Sequence, residues 1–165
     1  VAAGNTYEAI ATQTLGSAAA SVTFSSIPGT YTDLVVVCNF GGSSAGQDFT
    51  FRYNGDTGSN YSDTRVYGST TSAVSNRNSS ATRITADSVG VSTSLQALDI
   101  IQIMNYANTT TYKTCLVRVA DAAKSTEATV GLWRNTAAIT SIDLAMTSGN
   151  LLSGSTFSLY GIKAA

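Results

Sequence analysis

Phe49, Phe51 and Tyr53 alternate with Asp48, Thr50 and Arg52, and the pair Asn54-Gly55 follows at once. A period of two belongs to a strand with one wet and one buried face, and Asn-Gly accepts positive φ at low cost. Asp56 to Asn60 lengthens the turn with residues that hydrogen-bond their own backbone, and Tyr61 to Tyr67 resumes an extended pattern. The stretch from Gln47 to Gly68 therefore reads as a β-hairpin with a long polar tip. On its second strand Tyr61, Asp63, Arg65 and Tyr67 share one face and Ser62, Thr64 and Val66 the other. Val66 is expected to point inward, with Tyr61 and Tyr67 at a sheet edge or interface.

Strand signals recur at short intervals on both sides of this unit. Residues 1–16 read as an extended N-terminal arm or first strand, anchored by Tyr7, Ile10 and Leu15, with 17–165 as the main domain. Val22 and Phe24 alternate before the Pro28-Gly29 turn, and Leu34 to Phe40 is nearly all apolar, as in a strand covered on both faces. Ser69 to Ala81 has no sustained period and reads as a long surface loop. Leu95 to Asn105 reads as a strand whose Leu98, Ile100, Ile101, Ile103 and Met104 supply core; a helix is the rival reading, disfavoured by β-branched isoleucines. Further strands are expected at Thr82 to Asp87, Tyr112 to Ala120, Ala128 to Arg134, Ile139 to Thr147 and Ser155 to Ile162. About ten short strands without an amphipathic helix argue for an all-β fold, a single-domain antiparallel β-sandwich of jelly-roll type.

A chain of 165 residues can bury roughly 70% of its unfolded-state surface without a covalent staple. Only 12% of residues are charged and the net charge is −1, so the basic footprint needed to neutralise phosphates is missing and nucleic acid is not an expected partner. No stretch approaches the roughly 20 apolar residues that cross a bilayer, and VAAGNTYEAI has neither the charged nor the apolar region of a secretion signal. A soluble chain without membrane attachment is the expectation. Cys38 and Cys115 both lie in apolar strand readings, as two buried thiols would, with a disulfide as the alternative.

The chain has no histidine, which removes the commonest general base and the commonest transition-metal ligand. No GxSxG elbow or Ser-x-x-Lys pair appears, and the ten acids are scattered singly, so no catalytic residue, cofactor or metal is assigned. Asp56, Asn60 and Asp63 invite a calcium reading but lack the D-x-[DN]-x-[DN]-G spacing and its closing glutamate; a polar hairpin tip explains them as well. Tyr53, Tyr61, Tyr67, Tyr106, Tyr112, Trp133 and Tyr160 include candidates for a sugar-stacking platform, although aromatic residues in a sandwich mostly pack its core and edges.

The strings SVTFSSIPGTYTDLVVV, FRYNGDTGSNYSDTRVYG, MNYANTTTYKT, VGLWRNTAAITSIDL and SGSTFSLYGIKAA together resemble small virion structural proteins of tailed bacteriophages. The resemblance runs from Ser21 to Lys163 and implies a non-enzymatic protein that binds other virion proteins. Two roles follow as expectations. The first is a capsid decoration (cement) protein on the outside of the head, assembled in the host cytoplasm, binding the major capsid protein through an arm bearing Tyr7, Ile10 and Leu15. The alternative is a tail or fibre module that recognises host-surface carbohydrate. A decoration protein at local three-fold positions gains by closing into a homotrimer, with sandwich edges and the polar-tipped Tyr61 and Tyr67 as its expected interface.

Overall fold

The computed structural model describes residues 6–163. They form twelve strands: β1 (Tyr7–Thr14), β2 (Ser21–Phe24), β3 (Asp33–Phe40), β4 (Phe49–Tyr53), β5 (Tyr61–Ser69), β6 (Ser72–Ala81), β7 (Ile84–Asp87), β8 (Ala97–Met104), β9 (Lys113–Asp121), β10 (Ser125–Trp133), β11 (Ile142–Met146) and β12 (Thr156–Ile162). Eight make one sheet in the order β1-β12-β3-β8-β9-β10-β5-β6, and four make the other in the order β2-β11-β4-β7. Every pairing is antiparallel. The result is the antiparallel sandwich that the spacing of strand and turn signals predicts, with one sheet twice as wide as the other.

Alternation in sequence becomes alternation in burial. β2 buries Val22 and Phe24 between exposed Ser21 and Thr23, while β9 and β10 bury every second residue along nine positions each. Phe40, Phe49 and Phe157 meet at one end of the core, with ring centroids 4.1 to 6.4 Å apart. Tyr53, Tyr61 and Trp133 meet at the other, 5.5 to 6.3 Å apart. Aromatic contacts at these spacings add directional attraction to the large apolar area each ring removes from water.

Several expectations are corrected. β4 and β5 are not hairpin partners: β4 pairs with β11 and β7 in the small sheet, β5 with β10 and β6 in the large one. The polar tip is long enough to carry the chain from one sheet to the other, and Tyr61 fastens the crossing. Its hydroxyl accepts from the Tyr53 N–H at 3.1 Å and donates to the Tyr53 carbonyl at 3.2 Å. The faces of β5 are also reversed, since Tyr61, Asp63 and Arg65 are buried while Val66 is exposed. Asp63 and Arg65 tolerate burial because they pair at 2.9 Å, and Asp63 also accepts from the Thr85 N–H at 3.3 Å. Ser69 to Ala81 is not a long loop. After the turn at Thr70 and Thr71 it becomes β6, paired with β5 from Ser69↔Ser72 to Tyr61↔Ala81. In β8 only Ile101 and Ile103 of the five named residues are fully buried, and Leu98 is exposed.

Residues 7–14 are a strand, not a free arm. β1 pairs with β12 from Tyr7↔Ile162 to Thr14↔Thr156, and Leu15 behind it is buried in the core. Val1 to Asn5 of the expected arm lie outside the described residues. Cys38 and Cys115 are free and buried. They sit on β3 and β9, which are separated by β8, so the thiol reading holds and the disulfide does not.

Candidate functional site

The small sheet covers one face of the large sheet, and the opposite face is left open. Residues directly opposite each other across a ladder share a face, so the register places Thr64, Val130, Leu116 and Gln102 in one outward row across β5, β10, β9 and β8. A second outward row runs Ser75, Val66, Ala128, Arg118 and Ile100. A hollow of about 380 Å³ lies between these rows and one of about 670 Å³ lies beyond the second, toward Gly68, Ala73 and Thr126; they share Val66, Arg118 and Ala128 and so make one continuous open trough.

This half of the sheet departs from simple amphipathic patterning. Val66 is 55% exposed, Val130 52%, Leu116 45% and Leu98 41%, while the inward positions of the same strands mix core residues such as Ile101, Val117 and Trp133 with buried Asp63, Arg65, Asp99, Asp121, Glu127 and Thr129. A sheet with a single wet face puts polar residues outward and apolar ones inward. Here the alternation in burial is kept, but apolar residues also stand outward and charged ones also stand inward. Exposed apolar residues standing singly need no explanation, but a contiguous patch of them marks an interaction surface.

Behind the trough the buried carboxylates are held by the chain that follows β7. Val89 N–H donates to Asp87 Oδ1 at 3.2 Å and to Glu127 Oε1 at 3.0 Å. Ser88 donates to Glu127 through both N–H and hydroxyl, at 3.0 and 2.8 Å, and Ser92 N–H donates to Asp121 at 3.1 Å. Both oxygens of Asp99 and Oδ2 of Asp87 are buried without a hydrogen-bond partner among the described residues. Burial, reinforced by the Asp87, Glu127 and Asp121 charges, pushes the Asp99 carboxyl well above the usual range. Burial followed by the Glu127 charge raises Asp87 to about 7. A carboxyl that stays protonated avoids the cost of an unpaired buried charge. Hydrogen-bonded Glu127 and Asp121, with the raised Asp87 and Asp99 carboxyls beside them, thus form a polar backing to the trough.

The residues singled out from sequence do not come together. Tyr7 is exposed on edge strand β1, Ile10 is half-buried at a bulge in the same strand, and Leu15 is core. Tyr61 is fully buried, so it makes no interface; Tyr67 is half-buried on the inner face of β5, opposite Glu127 and Val74. Of the aromatic set, Tyr53, Tyr61, Tyr106 and Trp133 are core. Tyr67 and Tyr112 belong to opposite ends of the β9–β10–β5 ladder and Tyr160 to β12, with four strands between it and β5, so no stacking platform forms. Asp56 is occupied by Trp133 Nε1, Asn60 Nδ2 and Gly58 N–H at 2.7 to 2.9 Å, and Asp63 by Arg65. Sequence reasoning missed the trough itself. The signal was present in the alternation of TCLVRVA and TEATVGLW, where Arg118, Glu127 and Thr129 alternate with apolar residues and either phase could have been the outer one.

No protein-family model matches the sequence, and no curated protein is significantly similar to it.

Proposed function

We propose that this chain is a structural protein of a tailed-phage virion, a capsid decoration protein that binds the major capsid protein and stabilises the shell. The observation that carries the reading is the exposed apolar face of the large sheet, a wide trough presented by five strands and backed by a hydrogen-bonded network. Such a rigid face suits a standing protein contact, because little side-chain freedom is lost when it is covered. The phage-like strings supply the setting. Passage of the chain back and forth between the sheets, with the small one ordered β2-β11-β4-β7, is taken as a jelly-roll arrangement. A trimer at local three-fold positions would close through the free edges at β1 and β6, since burial removes Tyr61 from any contact.

The test is addition of purified protein to heads that lack it, followed by sedimentation. Saturable binding to heads, absence from isolated tails and a loss of at least tenfold in occupancy for Val130→Asp are expected. Binding to tails alone, or to a host glycan array, would transfer the protein to the tail-module role.

A further inference from the structure

We infer that the trough takes a segment of a different polypeptide, apolar along one side and carrying a carboxylate, rather than a second copy of this chain. The inference rests on the reading of the trough as a docking face and adds the chemistry of what docks there. Its starting point is charge. Arg118 is exposed on the second outward row between Ala128 and Ile100, and Arg77 is exposed on β6 opposite Thr64. Neither forms an ion pair among the described residues, and no acid stands in either row. A guanidinium set among apolar side chains is best satisfied by a carboxylate held in bidentate geometry, and Arg is suited to such desolvated contacts because it is weakly hydrated.

A second copy has little to offer as that group. Glu8, Asp63 and Asp143 are already paired with Lys163, Arg65 and Arg52. Asp56 is taken by Trp133, and Asp87, Asp99, Asp121 and Glu127 are buried. Only Asp33 and Asp48 remain, both partly covered, and Asp33 accepts from the Asn105 N–H at 2.6 Å. Pairing two troughs face to face would bring like Arg118 charges together in a region drained of water, which repels. Eight of the ten carboxylates are thus paired internally or buried and the other two are partly covered, which favours another protein as the source of the anion.

The experiment is selection of a displayed library of random twelve-residue peptides on the immobilised full chain, with binding of the recovered peptides then measured to wild type, Arg118→Glu and Val130→Asp. All three carry surface substitutions at most, and thermal unfolding checks that they are folded. The expected result is peptides in which Asp or Glu stands among apolar residues, with affinity reduced at least tenfold by either substitution. Peptides that lose binding on Val130→Asp but not on Arg118→Glu would leave the docking face standing and overturn the carboxylate. Peptides indifferent to both, or none above background, would remove the docking face as well. Self-association at micromolar concentration, seen by sedimentation velocity and abolished by Val130→Asp, would make a second copy the occupant and overturn the inference.

Discussion

The indole Nε1 of Trp133 donates to Asp56 Oδ2 at 2.7 Å, tying the tip between the two sheets to the end of β10. The same carboxylate accepts from Asn60 and Gly58, and the Trp133 hydrogen bond leads in holding its pKa below the usual range. Asp56→Ala leaves a buried indole N–H without a partner, a loss of about 1–3 kcal/mol readable in urea unfolding. Asp56→Asn, which keeps an acceptor, should lose less. Because the folded pKa is depressed, this contribution is complete above the unfolded pKa and fades as pH falls through the folded one.

The carboxylates behind the trough give the opposite slope. Asp87 is raised to about 7 and Asp99 well above its ordinary value, chiefly by burial. Facing them are Cys38 on β3, Asp48 before β4, the Asp63–Arg65 pair on β5, Asp121 on β9 and Glu127 on β10. Between about pH 4 and pH 7 the unfolded chain has released protons that the folded one still holds, so stability falls as pH rises through that window. The urea midpoint should be higher at pH 5 than at pH 8. Asp87→Asn should flatten that difference and raise the pH 8 midpoint; an unchanged slope would show that Asp87 is ionised throughout.

Gly131 lies on the inner face of β10, against Cys115 of β9 and Ile84 of the small sheet. A Cβ there would stand 2.6 Å from Cys115 Sγ and 2.9 Å from Ile84 Cδ1. Gly131→Ala should cost about 1–3 kcal/mol as overpacking, despite alanine's stronger preference for extended structure. Ala128→Gly, at an exposed site of the same strand, is the comparison.

Cys38 and Cys115 should resist a thiol reagent in the folded protein and both react in denaturant without prior reduction. Burial raises both thiols, Cys115 to about 12, which leaves almost no reactive thiolate at neutral pH.

Leu15→Ala should destabilise by about 2–5 kcal/mol, and removal of residues 1–15 should lower the thermal midpoint steeply, since β1 and a core side chain leave together. A truncated chain as stable as the whole would contradict the pairing of β1 with β12.

Where a strand has one wet face, its sequence announced it: SVTF and the last strand alternate as they are buried, whereas FTFRY alternates in sequence although Thr50 is covered as well. β6 did not, because nearly every residue from Ser72 to Ala81 is exposed on both faces, and a strand with two wet faces has no hydrophobic period to read. The direction of β5 failed for a different reason. Period two is symmetric, so the choice of inner face rests on polarity alone, and polarity misleads where Asp63, Arg65 and Glu127 find internal partners. Pairing of β4 with β5 was inferred from Asn54-Gly55, yet the tip is a bridge between layers; local turn chemistry does not say which sheet the next strand joins.

Tyr7 and Ile162 are neighbours across the β1–β12 ladder, at the opposite edge of the large sheet from β6. Eight strands at the usual spacing set those edges about 34 Å apart. Anything joined ahead of β1 or after β12 therefore leaves the molecule side by side, away from the β5–β6 hairpin that closes the far end of the trough. Tension between two such attachments would part the β1–β12 ladder one rung at a time, like a zip opened from its end, so the terminal seam is the place where this otherwise stiff body would yield first to a pull.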